Sequence, residues 1–300
     1  MKRLICILSI VVLWPLNLSW AQLAPPNQAG VALGHWHTTV SDVEATKKFW
    51  TTLGGIPLKI DGTEVIKFPG VLIFLTKGFP SGGSFGSVTN HVGFHVPNVD
   101  GFIARLKEGG ATSEYVRSVF IESYVGWAYT PDNLKVELIS DNSLAVPIAG
   151  PDLQLWVIPS AMADAQAWYT KVFGGVSVPG ATTRNVRVDG IPGVRLIIQN
   201  SQDPRGLTPR AVGLVNGALP AADSPLVASL INPPSPTKGR TLDHIGFEVT
   251  NLEAYCKKLE ASGVKFDAPY SKARHQSFAS AELTDPWGVS IELTEGLRRF

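Results

Sequence analysis

The sequence predicts an α+β protein of four β-α-β-β-β modules, paired in chain order into two domains. Three observations carry this. The order of one strand, one helix and three strands recurs four times, and a fixed repeat decides architecture before any local detail. Modules one and three match each other residue by residue, as do modules two and four. The first three helix patterns each stop at a Gly-Gly pair, Gly54-Gly55, Gly109-Gly110 and Gly174-Gly175. Glycine closes helices because it enters the left-handed region without strain.

Taken in order, residues 31–40 read as the first strand. Ser41-Asp42-Val43-Glu44 fits a capping box with Ser41 as the cap. The helix that follows puts Val43, Phe49, Trp50 and Leu53 on one face, and short strands lie near 57–60, 64–68 and 71–76. Module two has a strand over 90–96, a helix over 99–107 and strands near 113–118, 122–129 and 134–139. Module three opens with a strand over 152–158, has its helix over 161–173 and closes with a strand over 194–199. Module four has a strand over 242–249, a second capping box from Thr250 and Glu253, a helix to about Ala261 and a closing strand over 289–294.

The copies align through His91-Val-Gly-Phe-His-Val96 and His244-Ile-Gly-Phe-Glu-Val249, each with an Asn two residues on, Asn98 and Asn251. Phe49-Trp50-Thr51 likewise parallels Trp168-Tyr169-Thr170. The expected first domain covers 31–141 and the second 151–296, with 142–150 as linker. A Pro-, Ala- and Gly-rich insertion over about 201–238 is either a lid or a disordered segment, with a short helix near 226–230.

A basic start, an apolar run and small residues before Gln22 read as a secretory signal peptide over 1–21. The run is short for a membrane span of about 20 residues, and Trp14-Pro15 interrupts it. The mature chain is expected to be periplasmic or extracellular, free of the membrane, with a mobile polar leader over 22–30. Loss of Lys2 and Arg3 takes the formal charge from +1 to −1. A near-neutral chain without a basic stripe argues against nucleic-acid binding. Cys6 leaves with the signal, so Cys256 stands alone and no intrachain disulfide is available. Stability rests on apolar cores, which 44% hydrophobic residues can fill.

Four of the six histidines fall in two strands: His35 and His37 in one, His91 and His95 in the other. Residues two and four apart on a strand share a face. With the strands side by side, four imidazoles would converge on one cavity. Two imidazolium charges about 5 Å apart repel by roughly 3 kcal/mol at an effective dielectric of about 20. Such a cluster holds mostly neutral rings, the form that binds metal. The alternative is a polar core cluster bonded to backbone.

At this point the chain resembles the vicinal oxygen chelate superfamily of glyoxalases, bleomycin-resistance proteins, methylmalonyl epimerases and extradiol dioxygenases. The pieces that carry the resemblance are Leu242-Asp-His-Ile-Gly-Phe-Glu-Val249 and Thr284-Asp-Pro-Trp-Gly-Val-Ser-Ile-Glu-Leu293. The resemblance implies that paired modules curl into open cups. Metal ligands come from the first and last strand of each module, and a small substrate chelates through two adjacent oxygens. Carried over by position, it implies His35, His91 and Glu137 as metal ligands in the first domain, and Gln154, His244 and Glu292 as a weaker set in the second. Phe74 and about Ile197 stand where the remaining ligands would be. The implied cofactor is a divalent ion, Fe, Mn or Zn. The implied function is an exported metal-dependent enzyme, with ring-opening dioxygenation first and glyoxalase-type lyase or isomerase chemistry second. A non-catalytic small-molecule binder is the third reading, and a homodimer remains open. His275 stands roughly where extradiol enzymes carry a further histidine.

His37 and His95 are candidate acid-base groups beside the metal, or groups that orient the ligands. Tyr124 and Tyr129 are candidate donors to a bound oxyanion, and Arg184, Arg187 and Arg195 candidate partners of a substrate carboxylate. Cys256 reads as a small buried group. No Gly-rich phosphate loop or Ser-centred nucleophile elbow is present.

Overall fold

The computed structural model describes residues 23–117, 124–180, 184–203 and 234–300. The signal segment, most of the insertion with its expected helix, and the side chain of Tyr124 lie outside the described residues. Module one supplies β1 (Val31–Val40), α1 (Val43–Thr52), β2 (Ile56–Ile60), β3 (Thr63–Phe68) and β4 (Val71–Lys77). Module two supplies β5 (Thr89–Val96), α2 (Val99–Glu108), β6 (Thr112–Arg117), β7 (Tyr124–Tyr129) and β8 (Lys135–Ser140). Module three supplies β9 (Ala149–Val157), α3 (Met162–Phe173), β10 (Val176–Pro179), β11 (Asn185–Asp189) and β12 (Arg195–Asn200). Module four supplies β13 (Leu242–Val249), α4 (Leu252–Ala261), β14 (Ala268–Ser271), β15 (Ala279–Thr284) and β16 (Ser290–Glu295). The four predicted modules are all present.

Their pairing differs from the contiguous halves expected. One eight-stranded sheet runs β14-β15-β16-β13-β1-β4-β3-β2, joining modules four and one. The other runs β10-β11-β12-β9-β5-β8-β7-β6, joining modules three and two. Residues 31–141 and 151–296 therefore do not form separate cups. The repeat pattern could not decide this, because either scheme pairs an odd module with an even one. In both sheets the opening strands meet antiparallel at the centre, β1 with β13 and β5 with β9.

A bulge at Gly34 sets which face of β1 carries chemistry. Leu33 lies opposite Phe247 and His35 opposite Gly246, so Gly34 is an extra residue on β1. Without this bulge, Leu33 and His35, two apart in sequence, would share a face. With it, Leu33 and Trp36 join the apolar core while His35 turns to the concave side. That core spans both sheets. Trp36 of β1 lies edge-on to Phe94 of β5 at 5.4 Å, Phe68 of β3 lies 4.8 Å from Phe94, and Phe173 of α3 stacks on Phe247 of β13 at 4.1 Å. The Tyr169 hydroxyl of α3 donates to Asp285 at 2.7 Å, tying modules three and four together.

Three local expectations are corrected. The described leader is anchored, with Leu23 buried. Asn27 Nδ2 donates to the carbonyls of Phe173 (2.9 Å) and Gly190 (3.0 Å), while Oδ1 accepts from Ala29 and Val31. Asp42 caps α1 by accepting from Ala45 N at 2.9 Å, while Ser41 donates to Asp132 instead. Asn251, not Thr250, caps α4, and the matching Asn98 caps α2.

Expressed apart, 23–141 and 149–300 would each expose two central strands that lack their partners, and such edges invite association. Each half is expected to be unfolded or aggregated alone and to form a folded complex when co-expressed, read by circular dichroism and size-exclusion chromatography. Two independently folded monomeric halves would contradict this pairing.

Candidate metal centre

Because β1 and β5 lie in different sheets, the four strand histidines do not converge. His35 and His37 face the cup of modules one and four, whereas His91 and His95 face the cup of modules two and three. The ligand sets implied by the resemblance are regrouped accordingly. His35 joins His244 and Glu292, while His91 and Glu137 join Gln154.

In the first cup, His35 Nε2 lies 3.1 Å and His244 Nε2 3.5 Å from the same atom, Glu292 Oε2. Neither approach is aligned as a hydrogen bond, so both buried nitrogens lack a hydrogen-bond partner. His275, from the loop between β14 and β15, bonds the other carboxylate oxygen, Oε1, at 3.2 Å. His244 Nδ1 lies 2.7 Å from Asp243 Oδ1, which accepts its N–H and leaves the Nε2 lone pair directed inward. Asp243 is itself an extra residue on β13, since His37 faces His244 while Thr38 faces Leu242.

The charge state follows from these contacts. Burial would push the Glu292 carboxyl up, but the contacts from His244, His275 and His35 hold it well below the usual range. Burial lowers His35, with Glu292 opposing. Burial lowers His37 further, aided by His244 and His35. Burial works to lower His244 as well, yet Asp243 and Glu292 outweigh it and raise it. Asp243 is lowered to about 2, because bonds from His244 and the Gly239 amide overcome its burial.

The neighbouring wall is apolar. Phe74 of β4 sits edge-on to His35 at 5.1 Å, and Phe278 stacks on His275 at 4.0 Å. Phe74 and Phe278 belong to a small buried cluster with Val65, Leu72, Ile60 and Leu297. Gly246 makes room for His35, since a Cβ there would fall 2.0 Å from its ring.

The second cup has the same positions with different residues. His91 Nε2 lies 3.4 Å from Glu137 Oε2, and the Gln154 amide lies 3.5 Å from the same oxygen. Ile197 pairs with Gln154 in register and offers no donor. Lys135 is buried with its Nζ 3.8 Å over the Trp127 ring, and its charge helps lower His91 after burial. Arg195 forms a two-pronged pair with Asp152. One imidazole, one neutral amide and neighbouring cations make this donor set a poor fit for a divalent ion. His95 lies 3.7 Å from Asp152 and 3.9 Å from Asp141 in this cup, away from the first.

The remaining candidates have structural partners. Arg184 pairs with Asp203 and Arg187 with Asp189, and Tyr129 lines a groove between α1 and α2. Cys256 is buried, and burial pushes its thiol up to about 11. The role of Asp243 escaped sequence reasoning, although its place directly before His244 was visible.

Paired β-α-β-β-β modules with ligand-type side chains in a cup define a glyoxalase-like protein. The family described as the Glyoxalase/Bleomycin resistance protein/Dioxygenase superfamily matches residues 154–293. No curated protein matches the sequence. Among solved structures, glyoxalase I from Zea mays aligns with a TM-score of 0.65 at 14% identity, over 90% of this chain and 94% of that one. A proposed dioxygenase from Bacillus subtilis aligns with a TM-score of 0.58 at 14% identity, over 92% and 86%. Residues 154–293 thus match the model of this superfamily, and the structural likenesses establish the glyoxalase-like fold of the chain.

Gly246→Ala is expected to cost about 1–3 kcal/mol by overpacking against His35, read from the urea midpoint. An unchanged midpoint would show that the ring does not need this space.

Proposed function

We propose that the chain is a metal-dependent enzyme acting on a small substrate with two adjacent oxygens, with its centre in the cup of modules one and four. One observation carries this reading: two buried imidazole nitrogens, His35 Nε2 and His244 Nε2, without hydrogen-bond partners and both beside Glu292 Oε2. The carboxylate lies close to both nitrogens without aligned hydrogen bonds, and a shared cation would give all three atoms a common partner. Two imidazoles and one carboxylate match the donor set of Fe, Mn or Zn sites. A divalent ion held there would supply Lewis-acid activation of the substrate oxygens, and Fe would add oxygen chemistry.

The chain's own residues have distinct tasks. Asp243 fixes the His244 tautomer, and His275 holds Glu292 Oε1 so that Oε2 stays with His35 and His244. Phe74 and Phe278 present an apolar wall suited to an aromatic or apolar substrate body. Three protein donors leave an open side, as ring-opening dioxygenation requires. A fourth donor would turn the same cup toward lyase or isomerase chemistry, and His37 is placed to be one.

Purified without chelator, the protein is expected to hold about one equivalent of metal. His35→Ala and Glu292→Ala should lose it, whereas His91→Ala and Glu137→Ala should keep it, as read by elemental analysis. A wild type that stays metal-free after reconstitution would leave a small-molecule-binding cup and end the enzyme reading. The basic start and apolar run before Gln22 further support a site of action outside the cytoplasm. Mass spectrometry of the protein from its own host is expected to show Gln22 at the mature N-terminus, and a chain still beginning at Met1 would refute export.

A further inference from the structure

We infer that His37 is a fourth protein ligand of the centre, taking the place that Phe74 leaves vacant in the donor set. This rests on the proposed metal site. Four observations point to it. The ligand nitrogens of His35, His37 and His244 all lie within 4.8 Å of one another. Donors about 2.1 Å from a common ion are separated by at most about 4.2 Å, so the three imidazoles lie close to the spacing that a shared ion needs, and Glu292 joins them through its approaches to His35 and His244.

His37 and Phe74 are register partners across β1 and β4, and their rings stack at 5.7 Å with 7° between planes. The imidazole therefore lies over the apolar residue that stands where a β4 donor is expected. His37 is also directly opposite His244 across β1 and β13, with ring centroids 4.4 Å apart. Finally, His37 Nε2 lies 2.8 Å from the Thr76 hydroxyl. A ligating histidine commonly fixes its tautomer through its other nitrogen. Thr76 performs that task here if it accepts the Nε2 proton, which leaves the Nδ1 lone pair for the ion. The arrangement repeats what Asp243 does for His244.

A donor set of His35, His37, His244 and Glu292 leaves a six-coordinate ion two positions, enough for two adjacent substrate oxygens. It favours lyase or isomerase chemistry over oxygenation.

The test loads the full mature chain with Zn(II). X-ray absorption counts bound imidazoles, and competition with a chromophoric chelator gives affinity. Three imidazoles are expected in the wild type and two in His37→Ala. Thr76→Val, which leaves every ligand in place, is expected to weaken Zn(II) by about 10- to 100-fold, as loss of a ligand's orienting partner does. Two imidazoles in the wild type, or unchanged affinity in Thr76→Val, would overturn the His37 assignment while the metal centre stands. No Zn(II) bound by the wild type would overturn both. Circular dichroism confirms that each variant is folded.

Discussion

The antiparallel pairing of β1 with β13 is the constraint on which the site depends. It brings His35 and His37 from one end of the chain against His244 from the other, with Glu292 on the adjacent β16. Two extra residues tune it. Gly34 turns His35 from the core to the cup, and Asp243 sets His244 opposite His37. Gly246 then gives the His35 ring its space. Each adjustment is local, but none has meaning until strands more than two hundred residues apart are joined.

The same architecture yields two different cups. Both carry a histidine and a glutamate on the strands of an even module, His244 with Glu292 and His91 with Glu137. They differ in what the odd module adds. Module one brings His35 and His37, and module three brings Gln154 and Ile197. The second cup also sets Lys135 and the Arg195–Asp152 pair near Glu137. A divalent cation is favoured where imidazoles face a carboxylate and disfavoured where fixed cations already answer it. The two cups thus divide into one suited to metal and one stabilised by its own ion pairs.

Much of this was legible in the sequence. The modules and their opening and closing strands follow from period, whereas His35, His91, His244, Glu137 and Glu292 are marked only by the positions that the resemblance implies. His275 is marked only by the resemblance, as standing roughly where extradiol enzymes carry a further histidine, and its bond to Glu292 comes from the fold. The partner of each module was not legible, because pairing one with two or one with four satisfies the same local pattern. The resemblance, carried over in chain order, therefore groups His35 with His91 and Glu137 and sets His95 beside the same metal, whereas the fold separates them. The caps show a smaller version of the limit. Asp42 and Asn251 compete with adjacent hydroxyl residues of similar propensity, and only backbone geometry chooses between them. The leader looked mobile from its polar and Pro-rich composition, yet Asn27 answers backbone groups on α3 and the β11–β12 turn that local reading could not see.

The measurement that tests this account most directly is an anomalous difference map from a crystal of the Mn(II)- or Zn(II)-loaded protein, recorded above and below the metal edge. The account requires a peak bounded by His35 and His244 and by Glu292, contributed by modules one and four of a single chain. A peak beside His91 and Glu137, or a site in which His35 shares an ion with residues of module two, would contradict it.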